Sequence, residues 1–169
     1  MKIAISYFYQ IRFFKPWMIP VSTACWDPKW FHQWSGPNFT FLDKRNVVNG
    51  LRCEELHPGP LCEGLCRGRD NCENGNPNKC AFLQQYMRQL EAMDLNQFLQ
   101  RAAASLSRLK QQLNLDREPL LVLIVYEIPN NPCSERQALL DWFNGHGLEC
   151  KELEYPIQKL EIKKGDFIF

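Results

Sequence analysis

Apolar positions fall into short unbroken runs separated by longer stretches with helical spacing. Lys2 to Tyr9 (KIAISYFY), Trp17 to Ala24 (WMIPVSTA) and Leu120 to Tyr126 (LLVLIVY) each predict a strand. The third run is apolar throughout, as expected of a parallel strand covered on both faces. Pro20 predicts an irregular start or an edge position for the second, because proline cannot donate to a ladder. Between Ala81 and Met93 the spacing of Phe82, Tyr86, Leu90 and Met93 predicts a helix. Asp94 and Gln97 form a capping-box pattern ahead of a second helix, with Leu99, Ala102, Leu106, Leu109 and Leu113 along one stripe. After the third strand, NNPCSERQALLDWFNGHG reads as a loop and a helix that buries Leu139, Trp142 and Phe143 and ends at Gly145 or Gly147. Leu148 to Tyr155 alternates like a strand nearer an edge. Strands alternating with helices predict an α/β fold: an open, mainly parallel, Rossmann-like sheet flanked by helices.

Length and charge narrow this picture. A chain of 169 residues with 45% hydrophobic and 23% charged positions suits a single α/β domain spanning residues 1–169. A net charge of +1 supplies no broad basic field, so a local nucleic-acid patch is compatible with the sequence but an extensive interface is not expected. No apolar run reaches the roughly 18 to 20 residues that span a bilayer, so no membrane partner is expected. The first residues, MKIAISYFYQIRFF, lack a small-residue cleavage site and read as a buried strand. A cytoplasmic location follows as the expectation, with the eight cysteines as reduced thiols or metal ligands.

Five of those cysteines, Cys53, Cys62, Cys66, Cys72 and Cys80, lie in a polar segment whose part from His57 to Cys80 has only Leu61 and Leu65 as large aliphatic side chains. So little apolar surface does not offset the entropy of ordering its backbone. A small cysteine-rich, metal-binding insertion over residues 53–80 is therefore expected. Cys62, Cys66, Cys72 and Cys80 would form a closed, structural zinc site, with Cys53 or His57 as substitutes. An iron–sulfur cluster uses the same ligands, and the spacing leaves both open.

Ligands of open parallel sheets bind outside the carboxyl ends of the strands. Ser6 and Tyr7 end the first predicted strand, Ser22, Thr23 and Cys25 the second, Tyr126 and Glu127 the third. In the loop that follows, Asn131 as N-cap would put Cys133 and Ser134 in the first helical turn; Ser134 with Gln137 offers a later start. Either register presents free N–H groups and a helix dipole to an anion, and Arg136 can add a bidentate grip. The same field would lower the pKa of Cys133, a candidate nucleophile or redox group. Packing explains a first-turn cysteine equally well, and Ser134 is equally a plain cap. Glu127 is a candidate acid–base group or a holder of loop N–H groups. After Asp27-Pro28, read as a helix start, Trp30, Phe31 and Trp34 would share a face, in the core or as the wall of a pocket.

The segments IAISYFYQI, PVSTACWDPKW, GLRCEELHPG and VYEIPNNPCSERQALLDWFNGHG resemble a family of small α/β proteins catalogued as domain of unknown function four-eight-eight. The resemblance covers Met1 to about Glu152. It implies the same Rossmann-like fold and a cleft containing Ser6, Tyr7, Ser22, Arg52, Glu127, Cys133 and Arg136. Where the family carries C-H-R, this chain has Cys133-Ser134-Glu135-Arg136, which removes a histidine and moves the arginine by one place. The family has no agreed activity, so the resemblance speaks to fold.

The combined expectation is a metal-binding α/β protein acting on a nucleotide-like or phosphorylated small molecule at a strand-end crevice. Cys133, Arg136, Glu127 and Tyr7 would be the reacting groups, and Ser6, Ser22, Arg52 and Ser134 the binding groups. The alternative is a non-catalytic module that contacts nucleic acid or protein through the metal loop, with Arg67 and Arg69.

Overall fold

A computed structural model describes residues 1–34, 48–65, 76–126 and 133–153. Its strands are β1 (Ile3–Tyr7), β2 (Met18–Ser22), β3 (Phe31–Gln33), β4 (Val48–Arg52), β5 (Leu120–Val125) and β6 (Cys150–Glu152). They form one six-stranded sheet in the order β3-β4-β2-β5-β1-β6, with every pairing parallel. Three α-helices accompany it: α1 (Ala81–Glu91), α2 (Leu95–Gln112) and α3 (Glu135–Gly145). The expected Rossmann-like α/β arrangement is present.

Strand alternation divides the core into two layers. Ile3 and Ile5, Ile19 and Val21, and Leu121, Leu123 and Val125 face the three helices and pack with Leu83, Tyr86, Leu90, Phe98, Leu106, Leu139 and Phe143. Met18, Val122 and Ile124 face the other way, under Phe8, Ile11, Ala24 and Phe31. Thus α1–α3 cover one face of the sheet, while a 3-10 segment, Phe8–Phe13, and the residues leading into β3 cover the other. Connections after β1 and β2 pass over the aromatic face. Those after β4 and β5 pass over the helical face. Neighbouring strands β4, β2, β5 and β1 therefore send their chains to alternate sides, which opens the carboxyl edge of the sheet at its centre.

The helix boundaries follow local chemistry. Asp94 caps α2, its carboxylate accepting from the Gln97 N–H at 3.0 Å, as the capping pattern predicts. After α3 the chain turns at Gly147, whose φ of +77° suits glycine.

Two expectations need correction. Pro20 does not mark an edge, because β2 lies between β4 and β5 and Pro20 is buried in mid-strand. Thr23 N–H bonds the Ile124 carbonyl, so by alternation the Pro20 nitrogen faces β4. The β2–β4 ladder starts only at Val21, so no ladder donor is needed from Pro20. The segment after Asp27-Pro28 is a turn, with Phe31 N–H on the Pro28 carbonyl at 2.9 Å, and then strand β3. Phe31 and Trp34 consequently join opposite core layers instead of sharing a helix face. Phe31 lies so close over β4 that a Cβ at Gly50 would stand 2.2 Å from its ring, which explains the glycine there.

The segment after β4 is described as far as Leu65 and again from Asn76. Protein contacts hold residues 54–62 in two short 3-10 turns, Glu54–Leu56 and Pro60–Cys62. Leu56 is fully buried, its carbonyl accepts from Tyr86 Oη at 2.5 Å, and Gln89 of α1 bonds Gly59 N–H at 2.7 Å and the His57 carbonyl at 2.6 Å. This half of the cysteine-bearing segment thus has an anchor that does not involve a metal.

Candidate functional site

The strand registers place Ser6 beside Ile124, Ile124 beside Ser22, and Ser22 beside Arg52, a single row across β1, β5, β2 and β4. Residues in register share a face, here the aromatic one to which Ile124 belongs. Ser6, Ser22 and Arg52 are thus brought together along one edge. Tyr7, next to Ser6, points to the helical face, where Cys133 also lies. The expected cleft is divided by the sheet into two groups.

On the aromatic face the chemistry centres on Asp27, which enters from the turn after β2. Its Oδ1 accepts from Ser22 Oγ at 2.5 Å, and its Oδ2 lies 3.1 Å from Arg52 Nη1. The Asp27 side chain is 10% exposed and that of Arg52 27%. Ser22 Oγ also accepts from the Ala24 N–H at 3.3 Å, so this hydroxyl is committed to local structure. Arg52 Nε makes no hydrogen bond. His57 feels the charges of both members of the pair, and its Nε2 is likewise without a hydrogen-bond partner. Burial pushes the His57 imidazole below the usual histidine range. The Arg52 guanidinium acts the same way, against the raising influence of the Ser22 main chain, Asp27 and Glu54. At the other end of the row, Ser6 is 1% exposed and its hydroxyl has no partner. Gln10 donates to Tyr7 Oη at 2.6 Å, while its own carbonyl oxygen has none. Buried polar atoms without partners carry a cost of about 1–3 kcal/mol each, so each of these asks for an explanation.

On the helical face the charged groups gather at the start of α3. Ser134 is the N-cap of α3, its hydroxyl accepting from Arg136 N–H at 3.2 Å, which puts Cys133 before the helix and not in its first turn. Gln137 turns instead to Asp141 at 2.8 Å, so the reciprocal arm of a capping box is not made. Cys133 is 3% exposed within the core layer. Arg136 reaches across to Glu152 at the end of β6, 2.6 Å away. Buried Glu135 already places a negative charge in the first turn of α3, where a ligand anion would otherwise benefit from the dipole. Glu127 lies outside the described residues.

Of the four cysteines expected to bind metal, Cys66 and Cys72 lie outside the described residues. Cys62 is buried among the core residues packed on α1, and Cys80 is the half-buried N-cap residue of α1. Burial pushes the Cys62 thiol up, opposed by the Gly59 main chain, and the Glu135 carboxylate adds to the rise. Burial pushes the Cys53 thiol up as well. Among the described residues no group of three or more His, Cys, Asp or Glu side chains is placed to hold a metal ion. Arg67 and Arg69 also fall outside the described residues. No described helix is long and apolar enough to cross a membrane.

Asp27 and His57 are not among the residues that sequence reasoning places in the cleft. In the sequence Asp27 reads as part of a helix start and His57 as a substitute metal ligand. Period-two alternation forbids adjacent Ser6 and Tyr7 from lining one wall, but it does not locate Asp27 or His57. Comparison with known proteins adds no identity: no family model, no curated protein and no solved structure matches this chain.

Proposed function

We propose that the protein binds a small phosphorylated or otherwise anionic molecule at the carboxyl edge of its sheet, on the aromatic face, with Arg52 as its principal contact. One observation carries the reading. Arg52 is held at Nη1 by Asp27 while its Nε, in a buried setting, has no hydrogen-bond partner. A guanidinium fixed at one arm and unsatisfied along an edge suits phosphate or carboxylate, because its orientation is set before the ligand arrives. His57, which feels the charge of Arg52, supplies a second nitrogen without a partner and a group able to gain charge when an anion binds.

The strand-end location agrees with where open parallel sheets bind ligands. Charge supports this edge over the start of α3, where the Glu135 and Glu152 carboxylates outnumber the Arg136 guanidinium and would repel an anion. The reading is one of binding. Burial of Cys133 in the core layer shields its thiol from a molecule arriving at Arg52. Calorimetric titration with inorganic phosphate tests the proposal. Arg52→Ala is expected to weaken binding at least tenfold, a loss of about 1.4 kcal/mol. Equal affinity in wild type and variant, or no binding by the wild type at millimolar phosphate, rejects it.

A further inference from the structure

The row that contains Arg52 continues into a line of aromatic rings. Phe8, the first residue of the 3-10 segment after β1, belongs to the aromatic layer, and Tyr126, which follows β5, meets its ring there. Their ring centroids are 6.3 Å apart, and on another contact of Phe8 the Trp30 ring lies 6.0 Å away. Phe8 also meets Phe31 at 5.2 Å, and Phe31 covers Gly50, two residues before Arg52 on β4. Phe8 and Phe31 are buried, but Tyr126 is 57% and Trp30 36% exposed. Exposed rings supported from beneath by buried ones form a firm shelf at the mouth of the site.

Resting on the anion-binding reading, we infer that the ligand is a mononucleotide whose base packs against Tyr126 or Trp30 while its phosphate meets Arg52. Arg52 ends β4, two strands from β5, and Tyr126 follows β5 two residues beyond Ile124, the residue in the row of Arg52. At the usual strand spacing and rise per residue the two backbones lie about 12 Å apart, a gap that a bare phosphate does not bridge but a base, sugar and phosphate do. Aromatic faces accept any base by stacking, so the shelf selects for flatness and the arginine for charge. The chain's small net charge of +1 favours a single nucleotide over an extended strand, which requires a longer cationic track.

Titration with inorganic phosphate, ribose 5-phosphate and AMP separates the two claims. AMP is expected to bind about tenfold more tightly than ribose 5-phosphate, and Tyr126→Ala to remove most of that advantage while Tyr126→Phe retains it. If AMP and ribose 5-phosphate bind equally while phosphate binding still depends on Arg52, the nucleotide inference fails and the anion site stands. If none of the three binds, both fail. A single-stranded oligonucleotide that binds more than tenfold tighter than AMP overturns the mononucleotide assignment in favour of a strand-binding platform.

Discussion

Asp27 fixes Arg52: their carboxylate and guanidinium meet at 3.1 Å, with the Ser22 hydroxyl completing the carboxylate's contacts at 2.5 Å. The pair joins the turn after β2 to the last residue of β4, and therefore ties the site's main cation to the centre of the sheet. Asp27→Ala would leave both the arginine and a fully buried hydroxyl without this acceptor. The expected loss is about 1–3 kcal/mol of unfolding free energy, read from urea denaturation at neutral pH. Asp27→Asn, which keeps an acceptor, should lose less. A loss below the error of the measurement for Asp27→Ala would show that the pair is not an organising contact.

The depressed basicity of His57 predicts how anion binding depends on pH. Burial and Arg52 make the imidazole harder to protonate than an unperturbed histidine, whose pKa is 6.5. A bound anion opposes both influences and raises the His57 pKa, so binding takes up a proton and tightens as pH falls. Sulfate is the suitable probe because its own charge is constant over the range. Its affinity for the wild type should increase as pH drops from about 7.5 towards 5.5, and His57→Asn should flatten the profile. For stability the sign is the reverse. The unfolded chain binds the proton first, so the stabilisation from neutral His57 is present above pH 6.5 and declines below it. A profile that His57→Asn leaves unchanged would remove His57 from the site.

What the sequence discloses depends on how much surface each element buries. The continuous apolar runs of β1, β2 and β5 and the striped helices announce themselves, because every position faces core or follows a helical period. The outer strands do not. β3 has three residues, two of them exposed, and β4 carries Asn49 and Gly50 in its middle. Gly50 is a poor strand former in isolation and is required here only because Phe31 occupies the space above it. The site was legible in part for the same reason. Ser6, Ser22 and Arg52 sit in strands whose ends could be located, or matched a resemblance. Asp27 joins them through a turn whose path no local pattern encodes, and the Arg136–Glu152 pair depends on β6 lying beside β1.

Gln89 is expected to matter well beyond its own helix. Its side chain accepts from Gly59 N–H and donates to the His57 carbonyl, so α1 carries the segment that presents His57 to the strand ends. Gln89→Ala should cost about 1–2 kcal/mol and speed hydrogen exchange at the Gly59 amide. Zinc, if it is held by Cys62, Cys66, Cys72 and Cys80, would act on the rest of the segment. Elemental analysis of freshly purified protein is then expected to give about one zinc per chain, lost in Cys80→Ser. A wild type free of zinc and iron rejects the metal expectation, whereas unaltered exchange at Gly59 in Gln89→Ala rejects the clamp. The two results are independent.

Alkaline pH should weaken the fold through its buried thiols. Burial raises Cys150 from 9.0 to about 12, and it raises Cys53 and Cys62 in the same direction. Tyr86 is pushed well above its ordinary value by burial first, then by Glu135 and neighbouring cysteines. In the unfolded chain these groups lose their protons at ordinary values, while in the folded chain they keep them. Their stabilising contribution is therefore complete below the unfolded pKa and is lost as pH rises towards the folded one. For Cys150 that window runs from 9.0 to about 12. Within it one such group contributes a slope approaching 1.4 kcal/mol per pH unit, roughly. Cys150→Ala removes the titrating thiol from between β6 and the core at some packing cost near neutrality. The stability gap between wild type and variant should accordingly narrow as pH rises from about 8 to 10.5, measured by urea denaturation under reducing conditions. A gap that stays constant over that range would mean the Cys150 thiol ionises as freely in the folded chain as in the unfolded one.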